Sequence, residues 1–304
     1  MSIQVQSITK LYGPQKALDD VTFTVDPGQV VGFLGPNGAG KSTMMKIISC
    51  FIPQTSGSVS VDGFDVREQP IEVRRRVGYL PEHNPLYLDM YVKEFLRYVG
   101  GIQLGLKDAT RRVDKMIEMT GLGPEQHKKI GALSKGYRQR VGLAQSMIHD
   151  PGVLILDEPT TGLDPNQLVE IRQLIRNIGR EKTVILSTHI MQEVEAICSR
   201  VIIINKGKIV ANEATGVLRQ QSTDGNAVLV EFDKDVAEDA LNRIPGVEKA
   251  KRTQGNTWLI EGREGKDIRQ ELFRFAVDKG LTVITLQKQE SNLESVFRQL
   301  TVNK

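Results

Sequence analysis

The stretch that decides the fold of this 304-residue chain is Gly35-Pro36-Asn37-Gly38-Ala39-Gly40-Lys41-Ser42, which Thr43 follows. It fits the pattern G-x-x-x-x-G-K-[ST], and it lies between the apolar run Val30 to Leu34 and the helical run Thr43 to Ile48. Such a loop lets backbone N–H groups surround phosphate oxygens, while the lysine reaches the β- and γ-phosphates and the serine ligates Mg²⁺. The sequence therefore predicts a site for a nucleoside triphosphate and Mg²⁺.

A second motif places two carboxylates at the end of another apolar strand. Val153 to Leu156 is followed directly by Asp157 and Glu158, and ligand sites of parallel sheets form at the carboxyl ends of their strands. Because adjacent residues of an extended chain point in opposite directions, we expect Asp157 to face the Mg²⁺ shell and Glu158 to polarise or deprotonate an attacking water. The alternative is a merely solvated acidic pair.

Three further positions have both a structural and a functional explanation. His189 follows the strand Thr183 to Ser187, where it would face a γ-phosphate, although a lone histidine is more often structural. Ser134 is predicted to cap a helix, and a serine in that position can also bind an anion. Asp164 before a proline is typical of a helix start.

The rest of the pattern predicts an α/β core with a second, smaller domain. Short β-branched runs alternate with helical patterns, which is typical of a parallel sheet flanked by helices. Two strand-like runs predict an antiparallel β entry, and a helical insertion is expected at about residues 85–150. The polar stretch RQQSTDGN (219–226) is predicted to separate a domain at residues 1–220 from one at 221–304.

The second domain shows the order β-α-β-β-α-β, which is typical of a ferredoxin-like α+β fold. A last helix is predicted after it, with Ser291 and Glu294 spaced as a capping box. No motif that carries chemistry occurs in this part of the sequence.

Composition excludes several classes of protein. With 39% hydrophobic and 25% charged residues the chain is in the globular range, and its apolar runs are far below the roughly 18 residues of a membrane span. The first ten residues do not fit a secretory signal, so we expect the chain to stay in the cytosol. A net charge of +3 does not indicate nucleic acid as a partner, and two cysteines indicate neither a disulfide framework nor a zinc site.

Taken together and in order, these motifs resemble the nucleotide-binding subunit of ABC transporters over roughly residues 1 to 220. The resemblance identifies Gly35 to Thr43 as the Walker A segment, Asp157 as the end of Walker B, Glu158 as the catalytic base and His189 as the switch histidine. It also implies that Tyr12, in the stretch ITKLYG (8–13), stacks on adenine. The implied P-loop NTPase fold is the ABC cassette.

The resemblance extends to a signature segment and a D-loop. Leu133 to Tyr137 corresponds to the LSGGQ signature, in which Ser134 and Gly136 would contact the ATP of another copy. Asp164 lies in the D-loop. The signature departs from the family pattern because Lys135 and Tyr137 stand where Gly and Gln are usual.

A second departure is Glu82, which replaces the glutamine of the family's Q-loop. The usual amide contact to Mg²⁺ and water would become a carboxylate contact. The segments GYLPEHNPLYLDMY (78–91) and SNLESVFRQLT (291–301) are similar to the corresponding segments of ATPases of ABC-2-type exporters, especially bacterial gliding-motility-associated ABC ATP-binding subunits.

The resemblance implies an ATPase that uses ATP and Mg²⁺ and works as a head-to-tail homodimer, or as a heterodimer with a paralogous ATPase. Closure on ATP and opening on hydrolysis would move integral membrane permease subunits, and no nucleic acid is expected as a partner. The chain would then lie on the cytoplasmic face of the inner membrane. The expected docking surface is an apolar-aromatic patch formed by Leu86, Tyr87, Leu88, Met90 and Tyr91.

Two other functions are less consistent with the sequence. A soluble ABC ATPase that acts on ribosomes or nucleic acid usually has two fused cassettes or a long coiled coil, whereas this chain has one Walker A segment and no heptad run. A P-loop kinase or GTPase would have no role for the acidic pair, the signature and the switch histidine together. The transported substrate and the direction of transport are left open.

Overall fold

The computed structural model of the chain describes residues 2–220, 227–263, 266–288 and 293–302. It divides the chain into two units, residues 1–215 and 216–304. The strands of the first unit are β1 (Ile3–Tyr12), β2 (Gln15–Val25), β3 (Val30–Leu34), β4 (Ser56–Val61), β5 (Phe64–Asp65), β6 (Val77–Leu80), β7 (Val153–Asp157), β8 (Thr183–Thr188), β9 (Arg200–Asn205) and β10 (Lys208–Ala214). Its helices are α1 (Lys41–Ile48), α2 (Pro70–Arg76), α3 (Val92–Leu104), α4 (Leu106–Met119), α5 (Lys135–Met147), α6 (Pro165–Ile178) and α7 (Met191–Ile197), and α8 (Thr215–Gln220) follows at the boundary.

The strand that precedes the glycine-rich loop lies inside a six-stranded sheet of order β10-β9-β3-β8-β7-β6. The strands from β9 to β6 are parallel to their neighbours, and β10 is antiparallel to β9. Every residue of β7 and β8 is buried, as expected for strands of a parallel sheet that is covered on both faces, and each strand contains an uninterrupted apolar run. The loops that follow β3, β7 and β8 therefore meet at one edge of the sheet.

The two strands that open the chain form a separate antiparallel sheet with β4 and β5, in the order β2-β1-β4-β5. The two sheets share one hydrophobic core, in which Phe23 of β2 and Phe33 of β3 have ring centroids 5.6 Å apart. Strands β4 to β6 were not predicted from the sequence. In β4, with the sequence SGSVSV, the apolar side chains are too few for a strand pattern to stand out.

Helices α3, α4 and α5 occupy the region predicted to be a helical insertion. Residues 92–147, from the start of α3 to the end of α5, contain no β-strand. Among all the residues that the structure describes, no helix combines the length and the apolar character needed to cross a bilayer.

The second unit has the predicted ferredoxin-like order, with β11 (Ala227–Phe232), α9 (Glu238–Asn242), β12 (Val247–Gln254), β13 (Thr257–Gly262), α10 (Arg269–Asp278), β14 (Val283–Lys288) and α11 (Leu293–Val302). Its sheet has the order β12-β13-β11-β14, and every neighbouring pair is antiparallel. The units divide after residue 215, whereas the sequence pattern placed the boundary after residue 220, because α8 belongs with the second unit. Residues 221–226 of the polar stretch, and Ser291 of the predicted capping box, lie outside the described residues.

Candidate functional site

The glycine-rich loop connects the end of β3 to the start of α1. Gly40 has a φ of 108°, a conformation that favours glycine, and a Cβ at this position would lie 2.5 Å from the carbonyl oxygen of Ala17. The Nζ of Lys41 donates to the carbonyl oxygens of Gly35 at 2.9 Å and Pro36 at 3.3 Å. These contacts hold a mostly buried ammonium group at the centre of the loop, where it would meet an anion.

The acidic pair at the end of β7 lies beside this loop. Asp157 is buried and accepts hydrogen bonds from the Oγ of Ser42, at 3.2 Å, and from the hydroxyl of Ser187. Glu158 has a φ of 50°, so the chain leaves the extended conformation there, and its Oε1 lies 3.6 Å from the Nζ of Lys41. The two carboxylates have different partners: Asp157 meets Ser42 from the last position of β7, and the left-handed turn at Glu158 directs the second carboxylate to Lys41.

His189 follows β8 directly and contacts the second of these acids. Its Nδ1 lies 3.0 Å from Oε1 and 2.9 Å from Oε2 of Glu158. Thr161 donates a further hydrogen bond to Oε2 of Glu158 at 3.2 Å. The histidine is thus paired with the acid, and it reaches solvent with 43% of its side chain exposed.

Lys41, Ser42, Glu158 and His189 line one cavity of about 540 Å³, whereas Asp157 lies behind Ser42 and is not part of the lining. Tyr12 and Glu82 also line it, although neither is close to the loop in sequence, and Tyr12 is 49% exposed. Gln15, Ala17 and Thr161 were missed from the sequence, because they carry no motif and were detectable only as neighbours of Tyr12 and Glu158 along the chain. The other lining residues are Asn37, Gly38, Gly40, Lys41, Ser42, Thr43, Glu158 and His189.

The predicted loop residues Gly35, Pro36 and Ala39 support the cavity without lining it. The carbonyl groups of the first two hold Lys41. The N–H of Ala39 donates to the carbonyl of Pro36 at 3.2 Å, and its carbonyl accepts from the N–H of Gly207. They shape the loop through the backbone.

Ser134, Gly136 and Asp164 lie outside the cavity lining. Ser134 caps α5 by accepting a hydrogen bond from the N–H of Tyr137 at 3.4 Å, and Asp164 caps α6 by accepting one from Gln167 at 2.9 Å. Both predicted caps are confirmed. The start of α5 lies against the start of α6. The distance shows this, since a Cβ added to Gly136 would lie only 2.5 Å from the side chain of Gln167.

A second cavity, of about 420 Å³, lies beside β6, α3 and α5, and we call it the Tyr79 groove. Its lining residues are Ser49, Phe51, Arg74, Val77, Tyr79, Pro81, His83, Asn84, Pro85, Val99, Gln103, Gln145, Ser146 and His149. Among the residues that the structure describes, four buried polar atoms of this lining find no hydrogen-bond partner, namely the Tyr79 hydroxyl, Nδ2 of Asn84, Oε1 of Gln145 and Nδ1 of His149. Burial raises the pKa of Tyr79, with smaller contributions from Asp157 and Glu82, and burial lowers the pKa of His149.

The predicted apolar-aromatic patch directly follows the groove residues His83, Asn84 and Pro85 in the sequence. Tyr87, Leu88 and Tyr91 are each about half exposed, at 54%, 49% and 48%. The ring of Tyr87 packs against Tyr98 of α3, with centroids 6.0 Å apart, and Tyr98 is also half exposed. Three of the five patch residues are therefore exposed, whereas Leu86 and Met90 are partly buried.

Residues 18–161 match the family model described as "ABC transporter", and residues 129–195 match one described as "AAA domain, putative AbiEii toxin, Type IV TA system". The chain is 39% identical to the ABC transporter ATP-binding protein NatA of Bacillus subtilis, over 71% of this chain and 89% of that protein. It is 32% identical to the bacitracin transport ATP-binding protein BcrA of Bacillus licheniformis and 33% identical to the Nod factor export ATP-binding protein I of Burkholderia thailandensis. Each of these two alignments covers 98% of this chain and 96% of the relative.

Solved structures match about seven-tenths of the chain. A structure described as the ATP-binding subunit of an ABC transporter has a TM-score of 0.65 at 30% identity, over 73% of this chain and 93% of its own length. A dimeric post-hydrolysis state of the ATP-binding cassette MJ0796, bound to ADP and Pi, has a TM-score of 0.64 at 25% identity, over 70% and 98% of the two chains.

Proposed function

Because this chain belongs to the ATP-binding proteins of ABC transporters, we propose that it binds and hydrolyses ATP and couples this cycle to membrane permease subunits. The observation that carries the proposal is the convergence of Lys41, Glu158 and His189 on one cavity at the edge of the parallel sheet. A cation for phosphates and a carboxylate for water are the groups that phosphoryl transfer to water requires.

In the proposed reaction each group has one task. Lys41 binds the β- and γ-phosphates, and Tyr12, exposed at the cavity rim, stacks on the adenine ring. Glu158 accepts a proton from the attacking water, which contributes about 10²- to 10⁴-fold to the rate in enzymes of this kind. His189 orients the carboxylate through its Nδ1 contact and faces the γ-phosphate with its exposed edge.

The residues proposed for Mg²⁺ fit that ion. Mg²⁺ prefers hard oxygen ligands and usually takes only one or two from the protein, with the rest from water and phosphates. The Oγ of Ser42 and the Oδ1 of Asp157 lie 3.2 Å apart beside the loop, and both are such oxygens. Glu82 would add a third from the cavity wall. When bound, the ion would neutralise charge on the phosphates.

A dimer completes the proposed site. Ser134 and Gly136 are proposed to contact the ATP held by another copy, since neither lines the cavity of its own chain. Asp164 caps α6 next to this segment and is proposed to lie at the same interface. The dimeric cassette MJ0796 supports two copies as the arrangement. A heterodimer with a paralogous ATPase would use the same surfaces.

The permease is proposed to bind at the Tyr79 groove and the patch around Tyr87. The groove is lined by polar side chains, among them Tyr79, Asn84 and Gln145, which can pair with polar groups of a partner. The exposed rings of Tyr87 and Tyr91 are of the type enriched in protein interfaces. A permease segment with polar side chains at its tip and apolar ones around it would satisfy both.

The subfamily is proposed from the relatives that span both units. The bacitracin transport protein BcrA and the Nod factor export protein I each cover nearly the whole chain, so we propose an ABC-2-type exporter subunit on the cytoplasmic face of the inner membrane. The narrower likeness to gliding-motility-associated subunits stays a prediction.

Hydrolysis is tested by phosphate release from Mg-ATP and by binding of a fluorescent ATP analogue to the purified chain. Lys41→Ala is expected to lose both activities, whereas Lys46→Ala, an exposed lysine on the same helix, should retain them. Binding and hydrolysis by Lys41→Ala at the wild-type level would disprove the site.

The partner is tested by affinity purification from detergent-solubilised cells with ATP. A stoichiometric multi-span membrane protein that co-purifies with Glu158→Gln is the expected result. Ribosomal or nucleic-acid-binding proteins without a membrane partner would instead support a soluble ABC ATPase and leave the ATP site assignments intact.

A further inference from the structure

A fully buried carboxylate on α7 lies outside the set of groups described above. Glu193 is 0% exposed, and its two oxygens accept hydrogen bonds from the hydroxyls of Thr160 and Thr188, the second at 2.7 Å. Within the described ranges no cation pairs with it. Because a buried carboxylate without a cation is costly unless hydrogen bonds satisfy it, these two hydroxyls are what holds Glu193 in this position.

The two threonines belong to the two turns that carry the catalytic pair. Thr160 lies in the turn that begins at Glu158, and Thr188 is the last residue of β8, directly before His189. Thr188 is itself fixed, because its Oγ1 accepts a hydrogen bond from the N–H of Ile190 at 3.1 Å. The side chain of Glu193 therefore joins the turn after Glu158 to the turn around His189.

This connection matters because the contact between Glu158 and His189 depends on both turns. Glu158 has a left-handed φ of 50°, and its N–H donates to the carbonyl of Ser187 at 3.0 Å. That backbone hydrogen bond joins the two segments at the end of β8, before the chain reaches His189. Glu193 supplies a second connection, because its carboxylate accepts hydrogen bonds from Thr160 in one turn and Thr188 beside the other. The two turns are therefore joined by one backbone bond and by one shared side chain.

We propose that Glu193 is a positioning residue that keeps Glu158 and His189 aligned for ATP hydrolysis. The proposal rests on the proposed function, since it concerns the rate of that reaction. Glu193 is fully buried and does not line the proposed ATP cavity. It acts through Thr160 and Thr188, and an error of about 1 Å in the placement of a reacting group can cost about 100-fold in rate.

The test compares Glu193→Gln with variants of Thr160, one of the two residues that donate to Glu193. A glutamine in place of Glu193 would have the same shape but only one acceptor oxygen, so one threonine hydroxyl loses its acceptor. Glu193→Gln is expected to lower kcat by about 10- to 100-fold while KM and the dissociation constant for ATP stay within error. Gln192→Ala, an exposed neighbour on α7, is the matched control and should behave as the wild type.

A double-mutant cycle separates positioning from general support of the fold. Thr160→Val removes the hydroxyl and keeps the shape, and combining it with Glu193→Gln should lower kcat little beyond the larger single effect, because both changes break one connection. Thr160→Ser keeps the hydroxyl and should restore activity. If Glu193→Gln does not fold, the comparison of Thr160→Val with Thr160→Ser still tests the connection, and equal kcat values would overturn the proposal.

The outcomes distinguish this proposal from the one on which it rests. A wild-type chain that does not hydrolyse ATP would contradict the proposed function itself. An active wild type with unchanged kcat in Glu193→Gln, or with effects of Glu193→Gln and Thr160→Val that multiply independently, would show that Glu193 only supports the fold.

Discussion

Replacing the proposed base, Glu158→Gln, should separate ATP binding from ATP hydrolysis. Glutamine keeps the shape of the side chain, the hydrogen bond from Thr161 at 3.2 Å and a contact with His189. Lys41 loses a carboxylate 3.6 Å away but retains two carbonyl acceptors, so we expect a loss of about 1 to 3 kcal/mol in the free energy of unfolding. Binding of ATP should be at least as tight, because the γ-phosphate no longer faces a negative charge.

The rate is expected to change far more than the stability. Loss of a general base lowers turnover by about 10²- to 10⁴-fold, which is about 2.7 to 5.4 kcal/mol in the activation free energy. The assay is single-turnover phosphate release together with light scattering, which should show an ATP-dependent dimer that persists. Glu181→Gln makes the same chemical change at an exposed position and is the control. Phosphate release by Glu158→Gln at the wild-type rate would refute the assignment of the base.

Four other substitutions test separate parts of the site. Tyr12→Ala should weaken ATP binding by about 1 to 3 kcal/mol, measured by titration with a fluorescent analogue, because a stacking ring is lost; unchanged affinity for ATP would be inconsistent with stacking. Gly40→Ala should abolish ATP binding, since alanine at a φ of 108° is strained and its Cβ would meet the carbonyl of Ala17; wild-type binding in the same titration would show that the loop can shift. Ser134→Asp should keep the α5 cap and the melting temperature but lose the ATP-dependent dimer, because it places a negative charge against phosphate; a dimer seen by light scattering would contradict the contact in trans. Burial lowers the pKa of His149, so the unfolded chain takes up a proton near pH 6.5 that the folded chain does not, and the free energy of unfolding should fall as the pH drops below that value; urea titrations at about pH 8 and about pH 5.5 should show a smaller fall in His149→Gln, and an equal fall would assign it to other groups.

Local sequence was sufficient where one segment makes both the structure and the chemistry. The loop residues Gly35 to Lys41 were predicted because a strand, a glycine-rich turn and a helix start follow one another along the chain. The caps at Ser134 and Asp164 were predicted for the same reason, since a cap bonds to a residue three positions later. The fold class followed from the alternation of apolar strands with helices.

The patterns could not predict contacts between distant segments. Tyr12 and Glu82 were assigned only through a family resemblance, and the structure brings both to the loop cavity from other parts of the chain. Likewise, the side chain of Glu158 was expected to point away from that of Asp157 because side chains alternate along a strand. In the structure the direction of the Glu158 side chain is set by a left-handed turn instead. Strand periodicity does not apply after the strand has ended.

The Tyr79 groove and the bridge made by Glu193 had no signal in the sequence at all. Tyrosine, histidine and glutamate at those positions are ordinary polar residues until packing buries them. The sequence by itself determined which segment forms the glycine-rich loop, which strands of the parallel sheet are buried and where α5 and α6 begin, because these depend on residues that are neighbours along the chain. Only the tertiary structure decided which acid meets which cation and which polar groups lose water, because burial and pairing are set by residues far apart in sequence that the sheet brings to one edge.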